Sequence, residues 1–499
     1  MKILPVILLL SVLLFSCTET EQPLLEEEIL EIDLEEEIDE EEIFEEEEIE
    51  IIPVIWQNGD GSLQNPFQIE TAGNLFYLSQ QVNDTLKETP NDYYYKYFRV
   101  VNDINLASKP FQSIGGLKNN YEFKGHLDGN NKIISNLYIN TPNARYTGLF
   151  GKTNANTTFK NIILSNVSII GGDKDTGGIV GNSHSPLIDN CKVEGTITGG
   201  RYVGGIIGYA NTGETRIISN CMFEGNIVGT ENVGGIAGYT RAGYMNYCTS
   251  KGSIAGDYRI GGLSGDAFHF EMNNSSSVAV VQGNLVTGGL VGEIITGNIK
   301  DSFFEGSVEG TKMSGGISGK TSSSSSIVNS YNVGTIEGTE YIGGLVGSMN
   351  DTSIQKSFNS GDIIGSSIVG GIAAFVATST DQSHVKHCYN SGKLSGGVRV
   401  AGIAGLVDRG RVSYCYNLGE LPDIQDSSKV DQIATYSFIS DELDENNTYY
   451  LGNANGTKQK TSEYMKSIDF LNGLNNLDSF WKMDGTPNQN NGYPIHVWR

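Results

Sequence analysis

A five-residue motif, Gly-Gly-aliphatic-any-Gly, recurs along the chain and restricts its fold more than any other feature. Copies begin at Gly177, Gly204, Gly234, Gly261, Gly288, Gly315, Gly343 and Gly370, and looser copies begin at Thr147 and Ala401. Neighbouring copies are 27 to 31 residues apart, most often 27. Such a period indicates a solenoid, in which each repeat buries its apolar face only against the next repeat.

A second block keeps a fixed phase with the motif. From the copy at Gly204 to the copy at Ala401, a Cys or Ser stands thirteen residues before the first position of the motif, and an aliphatic residue or Met stands three residues earlier. Each repeat therefore holds about three short β-like runs separated by Gly or polar corners, where glycine accepts positive φ without penalty. Stacking such turns in register predicts an all-β, right-handed parallel β-helix of about a dozen turns with short helical caps. A propeller is the alternative, but its blades need about 40 residues each.

This interpretation divides the chain into five segments. They are a signal peptide (1–17), an acidic tether (18–52), an N-terminal cap with the first turns (53–140), the repeat β-helix (141–435) and a C-terminal cap (436–499). The composition supports it, because 63 Gly against 11 Pro favour many tight corners over disorder.

The first seventeen residues have the features of an export signal. Lys2 supplies a positive start, and the apolar run Ile3–Phe15 is too short for a comfortable membrane span. The run leads into Leu-Phe-Ser-Cys17, which resembles the bacterial lipobox, and this resemblance implies lipidation of Cys17. The alternative is an ordinary cleavable signal in which the cysteine is incidental.

The tether is strongly acidic. Between Thr18 and Glu50 there are 19 acidic residues and no Lys or Arg, so this tract carries most of the net charge of −26. Like charges repel and keep such a tract extended, with a partial helix as the alternative. Acidic residues soon after the lipidated cysteine also resemble surface-export signals of Bacteroidetes lipoproteins, which implies the outer-membrane surface of a Gram-negative bacterium. Nucleic-acid partners are not expected, because no basic stripe could release counterions.

Several stretches resemble the GLUG-motif proteins. They are Phe123–Gly129, Ile133–Leu137 and Gly148–Gly151, followed by the Gly-Gly-Ile-Val-Gly series. The resemblance extends over nearly all of residues 55–499 and implies a secreted or cell-surface β-helix, often adhesin-like. The repeat also occurs in IgA-specific metallopeptidases, whose zinc motif His-Glu-x-x-His is absent from this sequence. Their activity is therefore not expected here.

Two segments have the apolar spacing of cap helices. In residues 71–83, Leu75, Leu78 and Val82 fall at helical spacing, and residues 461–474 show a similar pattern. We expect these helices to cover the open ends of the solenoid, which otherwise expose unpaired strands.

An aromatic cluster follows the first of these segments. Tyr93, Tyr94, Tyr95 and Tyr97 are candidate ligand-contact residues, because aromatic rings offer faces for stacking on sugars. The alternative is that they pack within the cap, since aromatic residues favour strands.

The cysteines are a second candidate. Cys191, Cys221 and Cys248 have equal phase in three successive turns. A small buried residue explains the column best, because serine takes the same position in the next four turns. A disulfide or a metal ladder is the alternative. The His384-x-x-His387 pair is a weak metal hint, and we expect no metal and no cofactor.

Two pairs of carboxylates have equal phase in adjacent turns: Glu194 with Glu224, and Glu309 with Glu337. Carboxylates about 5 Å apart suit a retaining glycosidase. Acid/base work also needs a cleft and environments that separate the two pKa values, so no catalytic residue is assigned. The segment Asp128–Asn131 suggests a turn more simply than a calcium loop.

The export signal, tether and solenoid together predict a lipid-anchored binding or adhesion protein of the cell surface. Its repetitive face would engage a glycan or a host or matrix protein through many weak contacts. The alternatives are a polysaccharide lyase or glycosidase on the same scaffold, and a passive structural protein of the surface without a ligand.

Overall fold

A computed structural model describes residues 50–498, except 85–92, 94, 118–120, 212–216, 381–382, 423–429, 432, 437–448, 452–458, 476–478 and 486–488. The predicted signal peptide, Cys17 and the predicted tether up to residue 49 lie outside the described residues.

Three sheets of parallel strands run along the solenoid, and most turns add strands to each. Sheet 1 contains Phe67–Ile69, Tyr97–Val100, His126–Asp128, Phe150–Thr153, Thr158–Lys160, Val180–His184, Leu187–Asp189, Ile207–Asn211, Ile217–Ser219, Ala237–Asn246, Ser264–Asn273, Val291–Ile295, Asn298–Lys300, Ser318–Ser322, Ser326–Val328, Val346–Asn350, Ser353–Gln355, Ala373–Ala377, His384–Lys386, Ala404–Asp408, Arg411–Ser413 and Ala434–Tyr436. Sheet 2 contains Ile104–Asn105, Ile133–Ser135, Tyr138–Asn140, Ile163–Ile170, Lys192–Thr198, Met222–Val228, Thr249–Ala255, Ser276–Ser277, Val280–Gly283, Phe303–Phe304, Ser307–Gly310, Tyr331–Asn332, Thr335–Gly338, Phe358–Asn359, Ile363–Gly365, Tyr389–Asn390, Leu394–Gly396, Tyr416–Asn417, Tyr449–Leu451 and Gln459–Lys460. Sheet 3 contains Lys174–Gly177, Arg201–Gly204, Glu231–Gly234, Tyr258–Gly261, Val286–Gly288, Met313–Gly315, Tyr341–Gly343, Ile368–Gly370, Arg399–Ala401 and Val430–Asp431.

Strands pair with their counterparts one repeat later, so equivalent residues stack on one another. In sheet 2, Ile197 pairs with Ile227, which in turn pairs with Ile254. The side chains that point inward form one apolar core that extends from Trp56 to Ala434. The predicted all-β parallel β-helix is confirmed, with about twelve turns.

The motif needs glycine because a side chain would have no space there, and not because the backbone has positive φ. Neither Gly205 nor Gly208 lies in the left-handed region. A Cβ on Gly205 would lie 2.4 Å from the ring of Phe223, and one on Gly208 would lie 2.7 Å from the carbonyl oxygen of Tyr202. The motif is thus a bend at which sheets 3 and 1 approach too closely for a side chain. This corrects the explanation of the motif by positive φ.

Positive φ occurs instead at the corner between sheets 1 and 2. Asn190 and Asn274 occupy this corner with φ of 52° and 49°, and asparagine tolerates this conformation better than most residues. The next residue, Cys191 or Ser275, donates a hydrogen bond to the carbonyl oxygen two residues earlier, at 3.3 Å and 2.9 Å. A small side chain with one donor therefore closes the corner, which explains why Cys and Ser interchange.

Three helices and one antiparallel strand pair complete the fold of the described residues. They are α1 (Ala72–Asn83), α2 (Ser462–Met465), α3 (Ile468–Asn475), and Trp481–Lys482 paired with Ile495–His496. The first predicted helix is confirmed by α1, whose Leu75, Leu78 and Val82 join the core. The second is present as α2 and α3, with a break at residues 466–467. No helix among the described residues has the length and apolar content needed to cross a membrane.

The C-terminal segment lies along the outer flank of the last turns. The ring of Trp481 is 5.4 Å from that of Tyr416, and Trp498 reaches back to Phe358 at 6.2 Å, measured between centroids. The indole nitrogen of Trp498 also donates to the carbonyl oxygen of Lys356 at 3.2 Å. The segment therefore covers the side of several turns, and not only an end.

Candidate functional site

The tyrosines that the sequence suggested as ligand contacts lie in different surroundings. Tyr93 packs against the core, and its ring is 5.2 Å from that of Trp56. Tyr95 is 67% exposed. Tyr94 lies outside the described residues. Cap packing therefore accounts for Tyr93, and the cluster does not present one surface.

Tyr97 lines a groove near the N-terminal end of the solenoid. It is half-buried and stacks on His126, with ring centroids 4.4 Å apart and planes 14° apart. The groove has a volume of about 520 Å³ and is also lined by Leu63, Arg99 and Asp128. Tyr97 therefore remains a candidate contact residue.

The cysteines of the described turns have a structural role. Cys191, Cys221, Cys248, Cys388 and Cys415 are buried and form no disulfide. Burial raises the pKa of the Cys191 and Cys248 thiols, which makes them poor nucleophiles. Within the described ranges, no three His, Cys, Asp or Glu side chains gather as metal ligands. The interpretation as a small-residue column is confirmed.

The two carboxylate pairs stack in register as the sequence predicted. Lys251 Nζ lies 2.8 Å from Glu224 Oε1, and its hydrogen bond holds the pKa of Glu224 below the ordinary value. Glu309 and Glu337 line an open groove of about 740 Å³ between small polar residues. Glu194, Glu309 and Glu337 are exposed, so neither pair has the enclosed, asymmetric surroundings that acid/base catalysis needs.

Two other suggestions have structural explanations. Asp128 Oδ1 accepts hydrogen bonds from the backbone N–H of Asn130 and the side-chain amide of Asn161, both at 2.9 Å. The interpretation of this segment as a turn is confirmed. His384 Nε2 lies 2.7 Å from Ser413 Oγ.

A different set of side chains forms the strongest candidate site, which we call the tyrosine strip. The strip consists of two columns that meet along successive turns. Its sheet 1 column contains Asn182, Tyr209, Tyr239, Asp266, Glu293 and Lys320, paired in register. Its sheet 3 column contains Asp175, Tyr202, Asn232 and Arg259, the second residues of four consecutive strands.

Residues with left-handed backbone set the sheet 3 column. Tyr202 and Arg259 have φ of 61° and 56°, and the ladder of sheet 3 skips both positions. The equivalent residue of the next turn, Val286, pairs regularly with Met313. Left-handed backbone turns a side chain away from the regular alternation of the strand and costs a bulky residue about 1–2 kcal/mol. Strain of this kind concentrates at functional sites.

Three tyrosine rings form the centre of the strip. Tyr202 and Tyr209 are 5.2 Å apart, and Tyr209 and Tyr239 are 5.0 Å apart with planes only 12° apart. All three residues are half-buried. Burial, with Asp266 nearby, raises the pKa of Tyr239 to about 12, so its hydroxyl stays neutral. The strip thus presents neutral aromatic rings over two turns.

A cluster of charges adjoins the rings. Arg259 Nε donates to Glu293 Oε2 at 2.5 Å and lies 3.6 Å from Asp266 Oδ2. Lys320 Nζ donates to Glu293 Oε1 at 2.7 Å. Asp266 is only 6% exposed and Glu293 only 2%. Buried charges of this kind are retained only with partners, because their desolvation is expensive.

The two adjacent carboxylates of this cluster differ in protonation. Burial raises the pKa of Asp266 to about 7, although Arg259 counteracts it. Burial also disfavours the ionised form of Glu293, but hydrogen bonds from Lys320 and Arg259 hold its pKa below the ordinary value. Perturbed and separated pKa values are typical of functional sites.

Four buried oxygen atoms of the strip accept no hydrogen bond from any described residue. They are Asp175 Oδ1, Asn182 Oδ1, Asn232 Oδ1 and Asp266 Oδ1. Their residues are between 2% and 8% exposed. Leaving a buried acceptor unpaired costs about 1–3 kcal/mol, and because these atoms are closed to solvent, a ligand pairs with them only after a neighbouring side chain moves.

The sequence analysis missed the strip. The one available signal was the position directly after the last motif glycine, which is variable and holds Asn182, Tyr209, Tyr239 and Asp266 in successive turns. The left-handed residues that bring the sheet 3 column beside it leave no mark on the period of the repeat.

Comparison with known proteins gives partial matches. No family model matches this chain. Halomucin of Haloquadratum walsbyi is 31% identical over 160 residues, which are 30% of this chain and 2% of halomucin. A protein of Evansella cellulosilytica, named as a Gly-rich membrane protein, is 30% identical over 148 residues, which are 28% of this chain and 16% of that protein. The chain therefore matches only a small part of the length of these relatives.

One solved structure also matches the chain. It is named as an immunoglobulin A1 protease from Bacteroides ovatus, and the match includes 89% of this chain and 96% of that chain at 18% identity. The TM-score of 0.29 is too low to bear on fold or function.

Proposed function

We propose that this protein is a lipid-anchored binding or adhesion protein of the outer-membrane surface that holds a glycan along its tyrosine strip. The observation that carries the proposal is the strip itself. Neutral rings, buried charges, strained backbone and unpaired acceptors meet there, although none of these features is needed to stack β-helix turns. Binding sites characteristically combine aromatic surface with a few converging polar groups.

The anchor rests on the lipobox at Cys17 and on the acidic tract that follows it. The name of the Evansella relative refers to a membrane, and this supports a membrane-associated chain. Metabolic labelling with a radioactive lipid precursor tests the anchor. We expect label in the wild type and none in Cys17→Ala, and an unlabelled wild type would remove the anchor from the proposal.

Binding is tested by applying the protein without its signal peptide to arrays of glycans and matrix proteins. We expect a glycan signal that the double variant Tyr209→Ala/Tyr239→Ala abolishes. Tyr247→Ala is the matched control, since Tyr247 is 61% exposed and is not part of the strip. Silence of the wild type on both arrays would contradict the proposal.

A second candidate is cleavage of a polysaccharide at the same place. It is favoured by the register pairing of Asp266 with Glu293 and by their separated pKa values. Both oxygens of Glu293 are occupied by Arg259 and Lys320, which leaves Asp266 as the group able to act as an acid. Turnover of a polysaccharide panel that is lost in Asp266→Asn and kept in Glu194→Ala would establish this activity.

A further inference from the structure

The polar groups of the tyrosine strip restrict which glycans it can hold. We infer that the strip binds a sugar chain without carboxylate groups, oriented along the solenoid axis with about one sugar residue per turn. This inference rests on the proposed glycan-binding function and deepens it by naming the ligand class.

The unpaired atoms of the strip are all acceptors. Asp175 and Asn182 provide two of them at one end, and Asn232 and Asp266 provide two beyond the first ring pair. Sugar hydroxyls and amino groups can donate to such an atom once a side-chain movement opens it, whereas an ionised carboxylate only accepts. A uronate has the same ring hydroxyls, but its carboxylate would add negative charge beside Glu231 and Glu293, the acidic partners of Arg259.

The cations of the charge cluster are already engaged. Arg201, Arg259 and Lys320 are paired with Glu231, Asp266 and Glu293 at distances of 2.5 to 3.6 Å. Recognition of a carboxylate characteristically uses a free arginine fork, and the fork of Arg259 is occupied by side chains of the protein. At the opposite end, Arg145 and Lys174 face the carboxylate of Asp175. An anionic sugar would have to displace these carboxylates.

The spacing of the rings fits a chain that runs along the axis. Turns of a β-helix repeat about every 4.8 Å, which is close to the length of one pyranose residue in an extended chain. Tyr209 and Tyr239 are register partners in consecutive turns, and their nearly parallel rings are 5.0 Å apart. From the turn of Asn182 to the turn of Asp266 the strip spans four turns, which corresponds to about four sugar residues.

The test is isothermal titration with soluble neutral polysaccharides, chitosan oligosaccharides and polygalacturonate as probes. We expect binding of a neutral or amino-sugar chain that weakens about tenfold or more in Tyr209→Ala and returns in Tyr209→Phe, which restores the ring. Binding should be unchanged in Tyr247→Ala. Because a neutral ligand has no charge to screen, its affinity should change little with salt. Thermal unfolding of each variant verifies that it is folded.

Each other outcome is decisive. Preferential binding of polygalacturonate that depends on Tyr209 would overturn the ligand class and leave the binding function in place. Binding of a matrix protein through the strip, with no carbohydrate bound, would overturn this inference and the proposal that the ligand is a glycan. Silence with every carbohydrate and protein probe would overturn the proposed function as well.

Discussion

The described residues include two stacks of aromatic rings on the outside of this solenoid, and a later described segment of the chain covers the first stack but not the second. The first runs along sheet 2 with ring planes 3° to 6° apart and contains Phe303, Tyr331, Phe358, Tyr389 and Tyr416. The C-terminal segment packs over it, so Phe358, Tyr389 and Tyr416 are fully buried. The second is the tyrosine strip, whose three rings remain half-buried.

The polar atoms around the two stacks differ in the same way. Under the C-terminal segment, the hydroxyl of Tyr416 donates to the carbonyl oxygen of Pro494 and accepts from the amide of Asn490 at 3.0 Å. In the strip, Asn232 and Asp266 each keep a buried oxygen without a described partner. At Tyr416 the chain itself therefore supplies both the ring contacts and the polar partners. No described segment closes over the rings of the strip in this way, which leaves them open to an external ligand.

The largest effect should come from opening the covered stack. Trp481→Ala removes an indole that is 2% exposed and should lower the free energy of unfolding by about 3–5 kcal/mol. Tyr239→Ala in the strip should cost less, about 1 kcal/mol, because its ring is only half-buried. Urea denaturation of both variants measures the difference. Equal losses would mean that the strip is as much a part of the core as the covered stack.

The next effect concerns the buried carboxylate of the strip. Arg259, Glu293, Glu231 and Tyr239 face Asp266, and burial raises its pKa from 3.8 to about 7. An acid with a raised folded-state pKa contributes stability below pH 3.8 that is lost as the pH rises through about 7. As the pH rises over this range, the free energy of unfolding of the wild type should therefore fall by up to about 4 kcal/mol relative to that of Asp266→Asn.

Melting temperatures of both proteins between pH 4 and pH 8 check this expectation. Asp173→Asn is a suitable control, because Asp173 is an exposed carboxylate of the same surface. A constant difference between wild type and Asp266→Asn across the range would show that Asp266 is ionised throughout.

The smallest effect on stability should come from exchanging Cys for Ser in the buried corner column, which runs through both regions. Cys248→Ser and Cys388→Ser place at each position the residue that occupies it in neighbouring turns. Serine makes the same corner hydrogen bond in those turns, so each variant should change the free energy of unfolding by less than about 1 kcal/mol. A large loss in only one variant would show that the corners of the two regions are not equivalent.

Much of the fold follows from local pattern. The period of the motif and the phase of the Cys/Ser column predict stacked parallel strands, because only identical turns in register bury so short an apolar run. Helix α1 follows from Leu75, Leu78 and Val82 in the same local way. The position of the C-terminal cap could not be predicted from local pattern, because Trp481 and Trp498 pack against rings that lie many residues earlier in the chain.

The sequence by itself determined the solenoid, its turns of short strands, the corners at the glycine motif and the chemical interchange of Cys with Ser. Those features are set by steric and hydrogen-bonding demands that act within one repeat or between equivalent residues. Only the tertiary structure decided the candidate site. Left-handed backbone at Tyr202 and Arg259 brings one column beside another. Burial of Asp266 and the hydrogen bonds to Glu293, rather than spacing, separate the pKa values of the two carboxylates.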